Sequence, residues 1–287
     1  MRKNIISNKI VGSFLFWALL GSCTEKTERK VLLTHGYDDS AGGGPAYIIS
    51  TPVAIYYLEK EGGGLSGMLD KDSVDWIGFH NAEGSAHKGE YRGFPNAVHK
   101  QDGSYFHPMN AKTDPSSSVV DIESDEHVRL TFTSNNGKWK GQWDFYPDRC
   151  DFTMSQVSEG FNYWVQYEGV PGGKIDSTDF WYASQDSIKH PIFEIREGDL
   201  PGPEWMAFGD RNFSRVLYVL HHSDDEIPDD FVCRPDMTVL GFGRQNGVDG
   251  TEKLLTTPET FSIGFVESDE YPEIVRDIGL ITERKAN

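Results

Sequence analysis

Cysteine is scarce in this chain: three in 287 residues, at positions 23, 150 and 233. No pair has CxxC spacing, so no thiolate metal knuckle or redox dithiol is encoded. Cys150 and Cys233 are expected as buried thiols rather than a disulfide. Positive charge is also short. Lys and Arg total 27 against 45 Asp and Glu, a net charge of −18, which repels nucleic acid and anionic lipid. Long Ala/Leu/Glu/Lys runs are missing, which argues against a helical bundle. Gly172-Gly173-Lys174 lacks the first glycine and the following Ser/Thr of a phosphate-binding loop, and no HExxH is present. Gly84-Ser85-Ala86-His87 is not a GxSxG elbow, and no carboxylate pair stands out as the acid and nucleophile of a glycosidase. Neither a cofactor nor a metal is expected; Asp224, Asp225 and Glu226 read as a solvated acidic turn before they read as a calcium site.

The N-terminus is rich in information. Arg2, Lys3 and Lys9 precede an apolar run from Ile10 to Leu20, and Leu20-Gly21-Ser22-Cys23 has the lipobox form of a leucine, two small residues and a cysteine. About eleven apolar residues cannot span roughly 30 Å of hydrocarbon. Residues 1–22 are therefore expected to be a lipoprotein signal and Cys23 the lipidated residue, with 23–30 a polar tether. The membrane would be met only through that lipid anchor. An outer-membrane location is expected, with the periplasmic face favoured over the cell surface.

From residue 31 to 287 the pattern is that of one β domain. Val53, Ile55 and Tyr57 alternate before Gly62-Gly63-Gly64, and Leu65 to Leu69 leads through Asp70-Lys71-Asp72 into Val74 to Ile77. Val128, Leu130 and Phe132 alternate with polar residues, and Ser134-Asn135-Asn136-Gly137 supplies a hairpin turn. Trp139, Gly141, Trp143 and Phe145 then share one face. Further strands are read at 152–157, 163–167, 216–221, 237–241 and 261–265, whereas Asp176 to Pro203 reads as a long loop. Pro272, Ile274, Val275, Ile278 and Ile281 predict a short C-terminal helix. The expected fold is all-β, a single large antiparallel β-sandwich of supersandwich or jelly-roll type, and a monomer.

Three stretches carry chemistry. The first, Glu90-Tyr91-Arg92-Gly93-Phe94-Pro95-Asn96 with His99 and His107, reads as a loop: Arg92 would grip a carboxylate, Asn96 would add a donor, and Tyr91, His99 or His107 would move a proton. The alternative is an Arg92 paired with local acids and solvent-facing histidines. In the second, a strand places Trp164, Gln166 and Glu168 on one face and Tyr163 and Tyr167 on the other, before Lys174; core packing competes with sugar stacking as its explanation. The third comprises Trp205, with His221 and His222, which as strand neighbours point apart, and Arg244 at a strand end.

Arg, Asn, His and Tyr together suit β-elimination from a uronic acid: cations neutralise the carboxylate, a base takes the C5 proton and an acid protonates the group leaving C4. In this reading Arg92, Asn96 and Arg244 bind the carboxylate, with Trp164, Lys174 and Trp205 around the sugar. His107 or His99 is the base, and Tyr91 or Tyr167 the acid. An anionic oligosaccharide is the expected partner. A glycan-binding lipoprotein without turnover, a glycoside hydrolase and an epimerase are the alternatives.

At Gly62 to Ser66, Asp70-Lys71-Asp72, Asp75-Trp76-Ile77, Glu90 to Gly93 with Pro95-Asn96, Tyr167-Glu168-Gly169 with Pro171-Gly172-Gly173, and Gly241-Phe242-Gly243-Arg244, the chain resembles β-rich secreted proteins of marine bacterial polysaccharide-utilisation loci. It is similar there to the oligosaccharide dehydratases of ulvan degradation, over about residues 48–265. That resemblance implies a carbon-oxygen lyase acting on uronic acids beside sulfated rhamnose. The opening meander also resembles galactose-mutarotase-type supersandwiches, which implies a ligand on the concave face of a large sheet.

Overall fold

The computed structural model describes residues 30–38, 44–79, 92–97, 106–245 and 252–286. Strands β1 (Leu32–Asp38), β2 (Gly44–Ser50), β3 (Ala54–Glu59) and β4 (Leu65–Asp70) form an antiparallel meander. A four-residue helix, α1 (Asn110–Thr113), precedes β5 (Ser117–Glu123), β6 (Val128–Thr133), β7 (Trp139–Phe145) and β8 (Cys150–Val157). There follow β9 (Val165–Gly169), β10 (Asp179–Ala183), β11 (Asp186–Pro191), β12 (Glu204–Asp210), β13 (Val216–His221), β14 (Asp229–Arg234) and β15 (Met237–Phe242). The two-residue strands β16 (Arg244–Gln245) and β17 (Glu252–Lys253), then β18 (Thr260–Val266) and helix α2 (Tyr271–Ala286), complete the described chain.

One layer is a nine-stranded sheet in the order β11-β10-β12-β13-β18-β8-β7-β6-β5. The other consists of the β1–β4 sheet and a five-stranded sheet, β17-β16-β14-β15-β9. These two are sewn together by residues 92–97. Leu65 and Phe94 exchange N–H···O bonds on one side, and Gly93 and Glu168 do so on the other. Residues 92–97 of the expected loop are thus the seam of a continuous layer. A single apolar core, with Trp76, Trp143, Phe94 and Tyr167 fully buried, fills the space between the layers. Each such side chain contributes about 1.5–3 kcal/mol when fully removed from water.

The alternation is obeyed where one face is wet: β6 reads buried at Val128, Leu130 and Phe132 and partly exposed between them. It fails at β10 and β12, which are buried throughout. Residues 176–203 therefore hold β10 and β11 rather than one long loop, because Asp179–Ala183 is covered on both sides and shows no period of two. The second cover is α2, whose Ile274, Ile278 and Ile281 pack with Trp205, Tyr218 and Val266; Val275, also expected on the apolar face, is exposed. Val74 to Ile77 makes only an isolated bridge, Leu69 to Asp75, and not a strand. Both described cysteines are free; Cys150 is buried and Cys233 half-buried. No described helix is long and apolar enough to cross a membrane.

Candidate functional site

The outer face of the five-stranded sheet collects the polar residues. Alternation along β9 sends Tyr167 into the core and leaves Gln166 and Glu168 on the other side, where they pair across β15 with Gly241 and Val239. The seam brings Asn96 beside them: its amide donates to Gln166 Oε1 at 3.1 Å, and its main-chain carbonyl accepts from Trp164 Nε1 at 2.9 Å. Asn96 has φ +40°, a left-handed conformation that Asn tolerates.

His107 arrives through a glycine slot. A Cβ on Gly62 would lie 2.5 Å from the His107 carbonyl oxygen, and one on Gly64 would lie 2.8 Å from His107 Cα. The Gly62-Gly63-Gly64 run is therefore a docking surface for His107-Pro108 as well as a turn. Gly93 is similarly constrained, since its Cβ would stand 2.8 Å from His107 Nε2. The ring Nδ1 accepts the Met109 N–H at 3.1 Å. That bond assigns the neutral ring's proton to Nε2, which faces Glu168 Oε2 at 3.9 Å. His107 is consequently a donor here, not the base that the sequence suggested.

Glu168 is the group that can exchange a proton. Burial pushes its carboxyl up to about 8, against the opposing pull of Arg244 and the Asn96 hydrogen bond. Arg244 is itself buried, and its Nε and Nη1 hold no hydrogen-bond partner. Its guanidinium stands 5.5 Å from the Trp164 ring centroid, and Lys253 Nζ lies 5.2 Å from the same ring. Gly241 makes this placement sterically accessible, because a Cβ there would lie 2.7 Å from Arg244 Cδ. Burial lowers the Arg244 pKa from its ordinary value, and Glu168 opposes the shift.

Of the expected site residues, His107, Asn96, Trp164 and Arg244 come together; Tyr91, His99 and Cys23 lie outside the described residues. Arg92 is adjacent but occupied. Its Nε and Nη1 donate to the carbonyls of Asp236 and Gly78, so it ties the seam to the β14–β15 hairpin instead of offering a free fork. Tyr167 is a core residue whose hydroxyl donates to the Trp76 carbonyl at 2.7 Å. Trp205 is buried beneath α2, and Lys174 is an exposed partner of Asp176. Residue type does not single out Glu168 in the sequence, although alternation places it with Trp164 and Gln166.

A second cluster lies at the start of β12 and the end of β13. His221 Nδ1 meets Glu204 Oε2 at 2.5 Å, and its Nε2 is 3.6 Å from Glu259 Oε2. Burial alone would depress the imidazole, but the two carboxylates outweigh it and hold His221 up to about 9. The His221 hydrogen bond, helped by Ser223 and Thr257, lowers Glu259 to about 2. Glu204, His221 and Asp225 place one ligand atom each within 4.8 Å of one another, as do Asp199, Glu204 and Asp229, a spacing that suits a divalent cation. In this arrangement the His221 imidazolium supplies the positive charge. His222 turns the other way and bonds Ser262 Oγ at 2.7 Å, so the two histidines do point apart.

No protein-family model matches the chain, and no curated protein matches it in sequence. Solved structures do match in shape. HI1317 superposes with a TM-score of 0.54 at 14% identity, covering 83% of this chain and 100% of that one. A galactose mutarotase related enzyme from Lactobacillus acidophilus gives 0.51 at 9% identity, covering 78% and 99%. A candidate mutarotase, YeaD, from Salmonella typhimurium gives 0.51 at 12%, covering 82% and 94%. The chain has the galactose-mutarotase-like β-sandwich fold. At these identities the likeness is one of fold alone, and the residues on the five-stranded sheet must be read on their own chemistry.

Proposed function

We propose that this protein is a carbohydrate-active enzyme that moves a proton on an anionic sugar, and that its reaction is β-elimination from a uronic-acid-containing oligosaccharide. One observation carries the reading: a buried Glu168 with a carboxyl pKa of about 8 stands beside the Nε2–H of His107 and an Arg244 with unused donors. Arg244 pairs with the substrate carboxylate and makes the C5 proton acidic. Ionised Glu168, a stronger base than an ordinary carboxylate, takes that proton. The C5–H electrons become the C4=C5 double bond as the C4–O bond breaks, and the departing oxygen takes up a proton, which Glu168 can return to it. His107 Nε2–H orients the carboxylate, Asn96 and Gln166 supply amide contacts, and Trp164 offers a ring.

The lipobox at Leu20 to Cys23 supports an envelope location, where oligosaccharides released outside the cell would arrive by diffusion. Incubation with oligouronates tests the proposal: ultraviolet absorbance of the new double bond should grow, and Glu168→Gln should abolish it. A chain silent across glucuronate, iduronate and galacturonate oligomers would refute elimination. A second reading, epimerisation or mutarotation, is favoured by the fold likeness and needs the same proton-moving pair; it would change optical rotation without absorbance.

A further inference from the structure

The outer side of the nine-stranded sheet is divided. α2 covers the β10–β12–β13–β18 half with an apolar contact, whereas β6, β7 and β8 present polar side chains. There a groove of about 320 Å³ is lined by Arg129, Gln142, Asp144, Tyr146, Arg149 and Asp151, with Arg284 of α2 at its rim. Its floor is locked. Arg129 Nε donates to Asp144 Oδ1 at 2.6 Å, Gln142 Nε2 donates to Asp144 Oδ2 at 2.8 Å, and Arg149 Nε donates to Asp151 Oδ1 at 3.1 Å. Tyr146 is held between the His127 ring, stacked at 4.8 Å, and the Arg149 guanidinium at 4.4 Å.

These contacts leave particular groups unspent. Among the described residues, the Arg129 terminal nitrogens, Gln142 Oε1 and the Tyr146 hydroxyl make no hydrogen bond, and all three residues line the groove. The charges cancel locally, with Arg129, Arg149 and Arg284 each paired to Asp144, Asp148 or Asp151. An anion would meet those carboxylates and a chain of net charge −18. A cation would meet three guanidinium groups, and an apolar ligand would strand the free donors and acceptors. A neutral ligand rich in hydroxyls suits the set, since hydroxyls both give and accept hydrogen bonds. Fixing the side chains in advance lowers the entropic cost of binding it. The volume is at the small end of ligand sites, which run from roughly 300 to 1,000 Å³, and accommodates one or two sugar rings.

We infer that this groove is a second glycan-binding site, for a neutral sugar unit, on the layer opposite Glu168. It does not depend on the chemistry at Glu168 and would hold a chain whose other part is processed elsewhere. The test is affinity electrophoresis of the full chain in native gels containing mixed-linkage β-glucan, xylan or galactomannan, with alginate as the anionic comparison. Retardation by at least one neutral gel is expected. It should weaken about three- to tenfold in Gln142→Ala and Tyr146→Phe, remain unchanged in Glu168→Gln, and be accompanied by native-like melting of every variant. Absence of retardation in all three neutral gels, retardation by alginate alone, or equal retardation of the groove variants would each overturn the inference.

Discussion

Two buried glutamate–histidine pairs in this molecule differ in how completely they satisfy each other. At His221 the carboxylates of Glu204 and Glu259 flank both ring nitrogens; the imidazole is held up to about 9 and Glu259 is lowered to about 2. At His107 the Glu168 carboxylate stands 3.9 Å from Nε2, Nδ1 is committed to a backbone amide, and Glu168 rises to about 8. The first pair has spent its charge on the fold. The second keeps a carboxyl that changes protonation near neutral pH next to a cation with unused donors, the electrostatic condition that proton-transfer sites share.

The largest expected effect is at His221. Replacing it with Ala leaves Glu204 and Glu259 without their cation, and a loss of about 3–5 kcal/mol is expected in urea unfolding at pH 7. Glu168→Gln should do the reverse for stability while removing turnover by at least about 100-fold. A carboxyl whose folded pKa lies above its unfolded value favours folding below the unfolded pKa, and that contribution is lost as pH rises from about 4.5 to about 8. The Gln variant should therefore match the native chain at pH 4 and exceed it at pH 9, by on the order of 2–4 kcal/mol.

The His221 pair sharpens the contrast through its own pH windows. Its raised imidazole stabilises fully below about 6.5, and that stability is lost as pH rises through about 9. The lowered Glu259 contributes above about 4.5 and is lost as pH falls through about 2. In His221→Ala the first trend should disappear from the pH dependence of urea midpoints and the second should shrink, since Ser223 and Thr257 still hydrogen-bond Glu259. Gly241→Ala pushes on Arg244, whose charge opposes the rise of Glu168, and a KM increase of about tenfold, about 1.4 kcal/mol, with a stability loss of about 1–3 kcal/mol from overpacking, is the expected result. The smallest effect belongs to Tyr167→Phe: about 1 kcal/mol of stability from the lost bond to Trp76, and unchanged turnover.

The parts of the fold legible in the sequence were those with one wet face. β6 and β7 alternate as read, and the three isoleucines of α2 mark its buried stripe. β10 and β12 escaped because both of their faces are covered, which erases the period of two. For the site, alternation separated Tyr167 from Glu168 correctly but could not say which face was the core. Arg92 and Trp205 have residue types that suit a sugar site, and only the distant carbonyl of Asp236 and the overlying α2 show that they are otherwise engaged. Likewise the tautomer of His107 depends on the Met109 amide, a backbone contact that residue identity does not encode.

On the proposed function, the seam at Gly93 and Glu168 would tie ligand capture to mechanics. His107 is docked on the β3–β4 side of that join and Arg244 belongs to the five-stranded side, so a sugar touching both becomes a strut between two sheets. Affinity and cohesion of the layer are then two readings of one coupling free energy. Saturating ligand should slow hydrogen exchange most at the amides of Gly93 and Glu168, far more than at β5 on the opposite layer.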